Sequence, residues 1–334
     1  MSGIPGLSRG RMAHPVSEEG QMSHGIVHDR AELPPPSIEE VSRGVFAYIQ
    51  LDGTWFLNNA GFVVGSESVT VVDTTGTEKR ARAFHDAVKK TTSNPVQALI
   101  NTHSHADHTH GNFMFSPDTA IIGHELCREE VLQGSLERIK AAFPTGDFGD
   151  PPYVAPNVTF EDRMTAWVDD LKVELIYMGP AHTTNDVVAW LPERKVLFTG
   201  DLAFNGGTPF AMAGSIAGWL EAIPRLRELG AETVVPGHGP VCGPEVFETV
   251  ASYLAWVQEI AGNGFAEGIP PLEMAKATDL GDFAGLSDPE RLAGNLHRAY
   301  SELRGEPRGA PLDVPAVFAD MMAYNGGEPL RCLA

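Results

Sequence analysis

Apolar and polar positions follow one rhythm along most of this chain and another after about residue 243. In the first part, short apolar runs are separated by glycine-containing turns. Residues 44–51 (GVFAYIQL), 60–64 and 68–73 (SVTVVD) read as strands around a turn at Asp52-Gly53. β-Branched and aromatic residues in runs of this length, joined by such turns, favour antiparallel hairpins. Residues 77–91 switch to helical spacing, with Ala81, Phe84 and Val88 on one face. Residues 96–101 (VQALIN) form a short buried strand that runs straight into THSHADHTHGN. The alternation then resumes: a strand at 119–123, a helix at 125–133, a long Pro/Gly/Asp-rich loop at 144–157 and a strand at 171–178. A hairpin follows at 186–191 and 195–199 around Pro192-Glu193, then a helix at 215–229 that Pro224 is expected to kink. The last core strand is 233–235, before PGHGP.

Beyond Gly243 the pattern is helical, at 244–262, 272–277, 289–303 and 314–324. The expected organisation is therefore an irregular N-terminal arm (1–37), a catalytic domain (38–243) and a helical C-terminal extension (244–334). The arm is rich in Gly, Pro, Ser and His and ends in Leu33-Pro34-Pro35-Pro36. It either lacks fixed structure or lies against a partner subunit, so a homodimer is one expected assembly.

With 334 residues, 43% of them hydrophobic and 20% charged, the chain can bury a large core. Its net charge of -20 disfavours nucleic acid and anionic membrane as partners and leaves a small-molecule substrate as the expectation. No apolar run approaches the ~18 residues a membrane span needs, and the first twenty residues lack the apolar stretch of a secretory leader. The three cysteines, Cys127, Cys242 and Cys332, are widely spaced and odd in number. They suggest neither a disulfide framework nor a thiolate metal site, and a reducing cytoplasm is the expected setting.

The strongest chemical signal is His103-Ser104-His105-Ala106-Asp107-His108. Three imidazoles and a carboxylate within six residues, directly after an apolar strand, suit zinc and similar divalent ions. On a loop that turns into a helix, His103 and His105 can share one ion while Asp107 and His108 turn towards a second. Three more metal-capable residues stand at strand ends beside glycine: His182 in GPAHT, Asp201 after KVLFTG and His238 in PGHGP. Ligands gather at the carboxyl ends of strands in open α/β sheets, and glycine lets backbone approach an ion closely.

HSHADH, AH at 181–182, GD at 200–201 and GHG at 237–239 resemble, in order, the metal motifs of the metallo-β-lactamase superfamily, over about residues 40–243. The resemblance implies an α/β fold, a four-layer αββα sandwich of two mixed sheets flanked by helices, with a dinuclear site at one edge. It implies that His103, His105 and His182 hold a first metal, that Asp107, His108 and His238 hold a second, and that Asp201 bridges both. Two zinc ions are the leading cofactor, with iron or manganese as alternatives. Asp73, at the end of an early strand, matches an acid that supports the site. An aspartate at the bridging position resembles the hydrolytic branch that includes glyoxalase II, lactonases and related thioesterases rather than the true β-lactamases.

The expected activity is therefore hydrolysis of a small carbonyl substrate (lactone, thioester or ester) by hydroxide generated between the metals. Asp107 would orient the nucleophile and carry its proton to the leaving group. A mononuclear iron persulfide-type dioxygenase using His103, His182 and Asp201 is the alternative; a β-lactamase and a non-enzymatic binding protein stand further back. His110 and Asn205 are candidate substrate contacts. Thr183 and Thr184 either fix the His182 loop or cap it locally, and His124 reads as structural. Trp256, Phe265, Phe283 and Tyr300 either line an apolar pocket or pack helix against helix.

Overall fold

Two mixed β-sheets lie face to face between layers of helices, in a computed structural model that describes residues 33–334. The expected arm before Leu33 lies outside the described residues. The first sheet contains β1 (Ser37–Ser42), β2 (Val45–Ile49), β3 (Ala60–Val64), β4 (Val69–Val72), β5 (Val96–Ile100), β6 (Ala120–His124) and β7 (Val158–Phe160), in chain order. Its first four strands pair antiparallel; β4 to β7 pair parallel. The second sheet contains β8 (Arg163–Val168), β9 (Leu171–Tyr177), β10 (Val187–Leu191), β11 (Val196–Phe204) and β12 (Thr233–His238), in the order β12-β11-β10-β9-β8. Here β11 and β12 pair parallel and the other neighbours antiparallel.

Parallel neighbours need a crossover, and helices supply it. Helix α1 (Glu78–Thr91) joins β4 to β5. Thr77 caps it by accepting from the Arg80 amide, and Glu78 at its start and Lys89 and Lys90 at its end match the helix dipole. Its buried stripe is Ala81, Phe84 and Val88, as the spacing predicts. Phe84 and Val88 pack on Phe62, Val71 and Leu99 of the first sheet. Between the sheets, Val45, Val63 and Ile100 meet Val173, Leu175 and Val196. On the far side Val188, Leu197 and Val234 pack against α5 (Ile216–Glu228) and α6 (Val246–Glu267), through Trp219, Leu226, Val250 and Leu254. These three apolar seams define the four-layer αββα sandwich.

The remaining helices are α2 (Ala106–Thr109), α3 (Glu125–Leu132), α4 (Leu136–Ala142), α7 (Pro271–Ala277), α8 (Arg291–Leu303) and α9 (Val314–Tyr324). The four C-terminal helices share the apolar cluster that covers the second sheet.

Several elements differ from the pattern-based expectation. β1 begins at Ser37, so strand pairing starts inside the segment read as an irregular arm; its mostly exposed side chains hide it from an apolar pattern. β7 has three residues, too few to show a period. α4 buries no residue fully. α6 runs past Gly262 because Gly264 lets α6 approach α8: a Cβ there would lie 2.3 Å from the Tyr300 hydroxyl oxygen.

The most consequential difference concerns β11 and β12. Asp201 and His238 stand within paired strand, not in loops beyond it. β11 bulges at Gly200, where the register with β12 shifts and φ is +50°. Both strands are buried nearly throughout, so no polar alternation marks their true ends.

Candidate metal centre

The carboxyl edge of the first sheet supplies the hexad. β5 ends at Ile100, His105 stands at the N-cap of α2, and Asp107 and His108 lie on that helical turn. His103 and His105 therefore precede the turn and the next two ligand candidates follow it. His182 comes from the β9–β10 connection, Asp201 from the bulge in β11 and His238 from the last residue of β12.

The structure brings all seven residues together. Their ligand atoms form two groups, His103, His105, His182 and Asp201 in one and Asp107, His108 and His238 in the other, with the atoms of each group within 4.8 Å of one another. Asp201 touches both groups: its Oδ1 is 3.0 Å from His108 Nε2, and its Oδ2 is 3.3 Å from His182 Nε2 and 3.4 Å from His238 Nε2. A Cβ on Gly237 would lie 1.9 Å from Asp201 Oδ1, so only glycine leaves room for the carboxylate.

Four of the imidazoles are oriented by the protein. His108 Nδ1 meets Asp73 Oδ2 at 2.9 Å, and His238 Nδ1 meets the Gly53 carbonyl at 3.0 Å. His182 Nδ1 meets the Phe210 carbonyl. His103 Nδ1 is 3.1 Å from the Thr102 hydroxyl, which itself donates to Asp73. Each of these acceptors calls for a proton on Nδ1, which leaves the Nε2 lone pair to face the centre when the ring is neutral. Among the described residues His103 Nε2 is buried without a hydrogen-bond partner, and His108 Nε2 and Asp201 Oδ1 face each other at 3.0 Å without hydrogen-bond geometry. Polar atoms are rarely left so. An imidazole and carboxylate donor set with fixed tautomers and orphaned lone pairs fits divalent metal ions.

Electrostatics agree with a site made for positive charge. Burial would raise the carboxyl pKa of Asp201, but His238, His108 and His182 hold it well below the usual range. Asp107 behaves alike: burial is outweighed by His108 and His238. Burial lowers His182 to about 3 and puts His103 well below the imidazole norm. Burial would also lower His108 and His238, yet Asp201 and its neighbouring carboxylates raise both, His238 to about 9. Without metal, protons on these two rings balance the carboxylates; bound cations would displace them.

A second set of side chains holds the ligand loops. Asp73 accepts from Thr102 N and Oγ1, each at 2.7 Å, as well as facing His108. Asp73→Ala leaves those donors unpaired and is expected to cost about 3 kcal/mol, read from the urea midpoint of the metal-free chain. Asp186, buried and raised to about 7 mainly by that burial, accepts from the Ala181 amide and from Thr183 N and Oγ1, which shapes the His182 loop. Asn185 accepts from the Ser104 amide, tying the two ligand loops together. Glu130 accepts from Ser104 Oγ and from Thr184 Oγ1. Asn59 donates to the carbonyls of Pro236 and Gly239 around His238. The TTND run at 183–186, rich in residues that bond locally to backbone, was a readable signal for Asp186 and Asn185. Glu130 and Asn59 carry none.

The C-terminal extension reaches the centre as well. Asn295 of α8 accepts from the Ala211 amide and donates to Pro209 O, and Arg298 donates to Met212 O. These bonds fix residues 209–212, whose Phe210 carbonyl orients His182.

A cavity of about 320 Å³ opens over the cluster, with His105, Asp107, His182, Asp201 and His238 in its wall. Trp55, Phe56, Phe143, Phe204, Phe210 and Phe318 make most of it apolar. His110 lines it; its Nδ1 meets the Gly76 carbonyl and its Nε2 is buried without a partner among the described residues. Asn205 does not line it: its amide donates to Pro240 O. Trp256, Phe265, Phe283 and Tyr300 pack as helix aromatics, with Trp256 on Phe283 and Phe265 on Tyr300. His124 caps α3 by accepting from the Leu126 amide and stacks on Tyr177.

Residues 53–238 match the sequence model of the metallo-beta-lactamase superfamily, and the chain belongs to it. That superfamily consists of metal-dependent enzymes, most of them hydrolases. The 2,4-dinitroanisole O-demethylase subunit alpha of Nocardioides sp. (strain JS1661) is 30% identical over 179 residues, 53% of this chain and 51% of that one. The linear primary-alkylsulfatase of Pseudomonas sp. (strain ATCC 19151) is 24% identical over 309 residues, 75% of this chain and 56% of that one. The chain thus spans about half the length of these two relatives. The solved metallo-beta-lactamase from Pontibacter korlensis shares the fold, with a TM-score of 0.57 and 22% identity over 66% of this chain and 99% of that one. Among the described residues no helix is long and apolar enough to cross a membrane.

Proposed function

We propose that this chain is a dinuclear metal-dependent hydrolase that cleaves a small ester, thioester or lactone with an apolar body. The observation that carries this reading is the set of oriented imidazoles whose Nε2 atoms converge on Asp201 beneath an apolar cavity. His103, His105 and His182 would hold one ion, Asp107, His108 and His238 the other, and Asp201 both, with zinc foremost. When bound, such ions supply Lewis acidity, which brings the pKa of water towards neutrality and stabilises negative charge on a substrate oxygen. The protein's own part is orientation and proton handling. The aromatic walls exclude bulk water and hold the substrate's apolar part. Asp107, whose side chain lines the cavity, takes the proton of the attacking water on its carboxylate and returns it to the leaving oxygen or sulfur.

His110 Nε2 is the polar contact offered to the substrate. His110→Ala is expected to raise KM about fivefold while metal content stays unchanged, as elemental analysis and initial rates would check.

The relatives' names support a second reading, in which the scissile bond belongs to an aryl ether or a sulfate ester. A mononuclear iron dioxygenase held by His103, His182 and Asp201 is compatible with the same seven side chains, and metal analysis separates it from the hydrolase. The deciding experiment loads the chelator-stripped chain with zinc and offers it a lactone, a thioester, an aryl ester, an alkyl sulfate and nitrocefin in ¹⁸O-labelled water. One labelled oxygen in the carboxylate product of a carbonyl substrate is expected. Turnover confined to the sulfate favours the second reading, and thiol-dependent O₂ uptake by an iron-loaded chain with no hydrolysis overturns the proposal.

A further inference from the structure

Among the described residues the cavity wall contains one deeply buried guanidinium, and it comes from outside the part of the chain that matches the superfamily. Arg291, the first residue of α8, is 1% exposed and lines the cavity. Its guanidinium lies 4.0 Å over the centroid of the Trp55 ring and 5.2 Å from that of Phe204. Phe204 in turn stacks on His238 at 5.2 Å and 8°. The cation therefore sits one ring away from the metal centre.

Its hydrogen bonding is incomplete. Arg291 Nη1 donates to the Thr208 carbonyl at 2.9 Å and Nη2 faces Asp288 at 2.8 Å, while Nε is buried with no partner among the described residues. An unpaired buried donor on a charged group is costly. Neighbouring acids do not remove the need. Glu290 is engaged by the Trp55 indole N–H at 2.6 Å, and Asp288 meets only Nη2. The other basic residue of the wall, Arg138, is exposed. Stacking on aromatic faces and a planar fork of donors suit arginine to an oxyanion in an apolar setting.

We propose that Arg291 is a specificity-determining residue that binds an oxyanion carried by the substrate, so that the preferred substrates are small organic monoanions with an apolar body. This rests on the hydrolase reading for its cavity, but it is tested by binding and needs no turnover. Phenylacetate, phenylmethanesulfonate and the neutral phenylacetamide are titrated by calorimetry into the zinc-loaded wild-type chain, R291Q and R291K. The wild type is expected to bind an anion at least about tenfold more tightly than the amide. R291Q should lose that preference and leave amide binding within about twofold, with R291K in between. The preferred anion distinguishes a carboxylate from a sulfonate type of ligand. Equal affinity of the wild type for amide and anions would overturn the proposal, even if R291Q does not fold. Undiminished anion binding in R291Q or R291K would do the same, because the metals alone would then hold the anion.

Discussion

Asp201→Ala is expected to remove hydrolytic activity by on the order of 10³-fold or more and to empty both ligand groups together. The reason lies in its position. It is grouped with His103, His105 and His182, and its oxygens also face the other group, Oδ1 towards His108 and Oδ2 towards His238. Loss of the carboxylate also removes the principal charge that raises His108 and His238. Asp201→Asn keeps the shape beside Gly237 and serves as the folding control. Elemental analysis and initial rates measure both effects. A variant that keeps two metal equivalents would contradict the bridging role.

The second large effect is expected from Asp107→Ala. Asp107 lies 3.3 Å from His238 Nε2 and 3.9 Å from His108 Nε2, and its carboxylate is held ionised by those rings against the effect of burial. It also lines the cavity, where the proposed reaction would place the nucleophilic water and the leaving group. Its removal should cost about 10²- to 10⁴-fold in kcat, the range for a lost proton-transfer group. It should weaken metal retention in the Asp107, His108 and His238 group while the other group keeps its ion. Near-normal turnover with two metals bound would sink the role assigned to Asp107. An equal loss of metal from both groups would show that its effect is structural.

The sequence made the fold legible where periodicity and side-chain type agreed. The stripe Ala81, Phe84 and Val88 marked α1, and the β-branched runs marked β2 to β5. Elements that bury little, such as β1 and α4, left no apolar trace. The seven metal candidates were readable because ligand chemistry is compressed into the hexad and repeated beside glycines. What surrounds them was not. Asp73 was reached through family resemblance, whereas Glu130 and Asn59 act through contacts between residues far apart in the chain. No motif marks Arg291, and only tertiary packing puts it over Trp55. Composition left the aromatic residues of the extension open between pocket wall and helix packing; Trp256 and Phe283 pack on each other, and Phe318 of α9 lines the cavity. The extension also steadies the site through α8, which fixes the segment that orients His182.

Seven side chains are proposed to hold two metal ions beneath the cavity. Anomalous diffraction at the zinc, iron and manganese edges from crystals of the natively purified chain would locate them. Two peaks per chain are expected, one among His103, His105 and His182 and one among Asp107, His108 and His238, with Asp201 between them. A single iron peak beside His103, His182 and Asp201, or no peak at all, would contradict it.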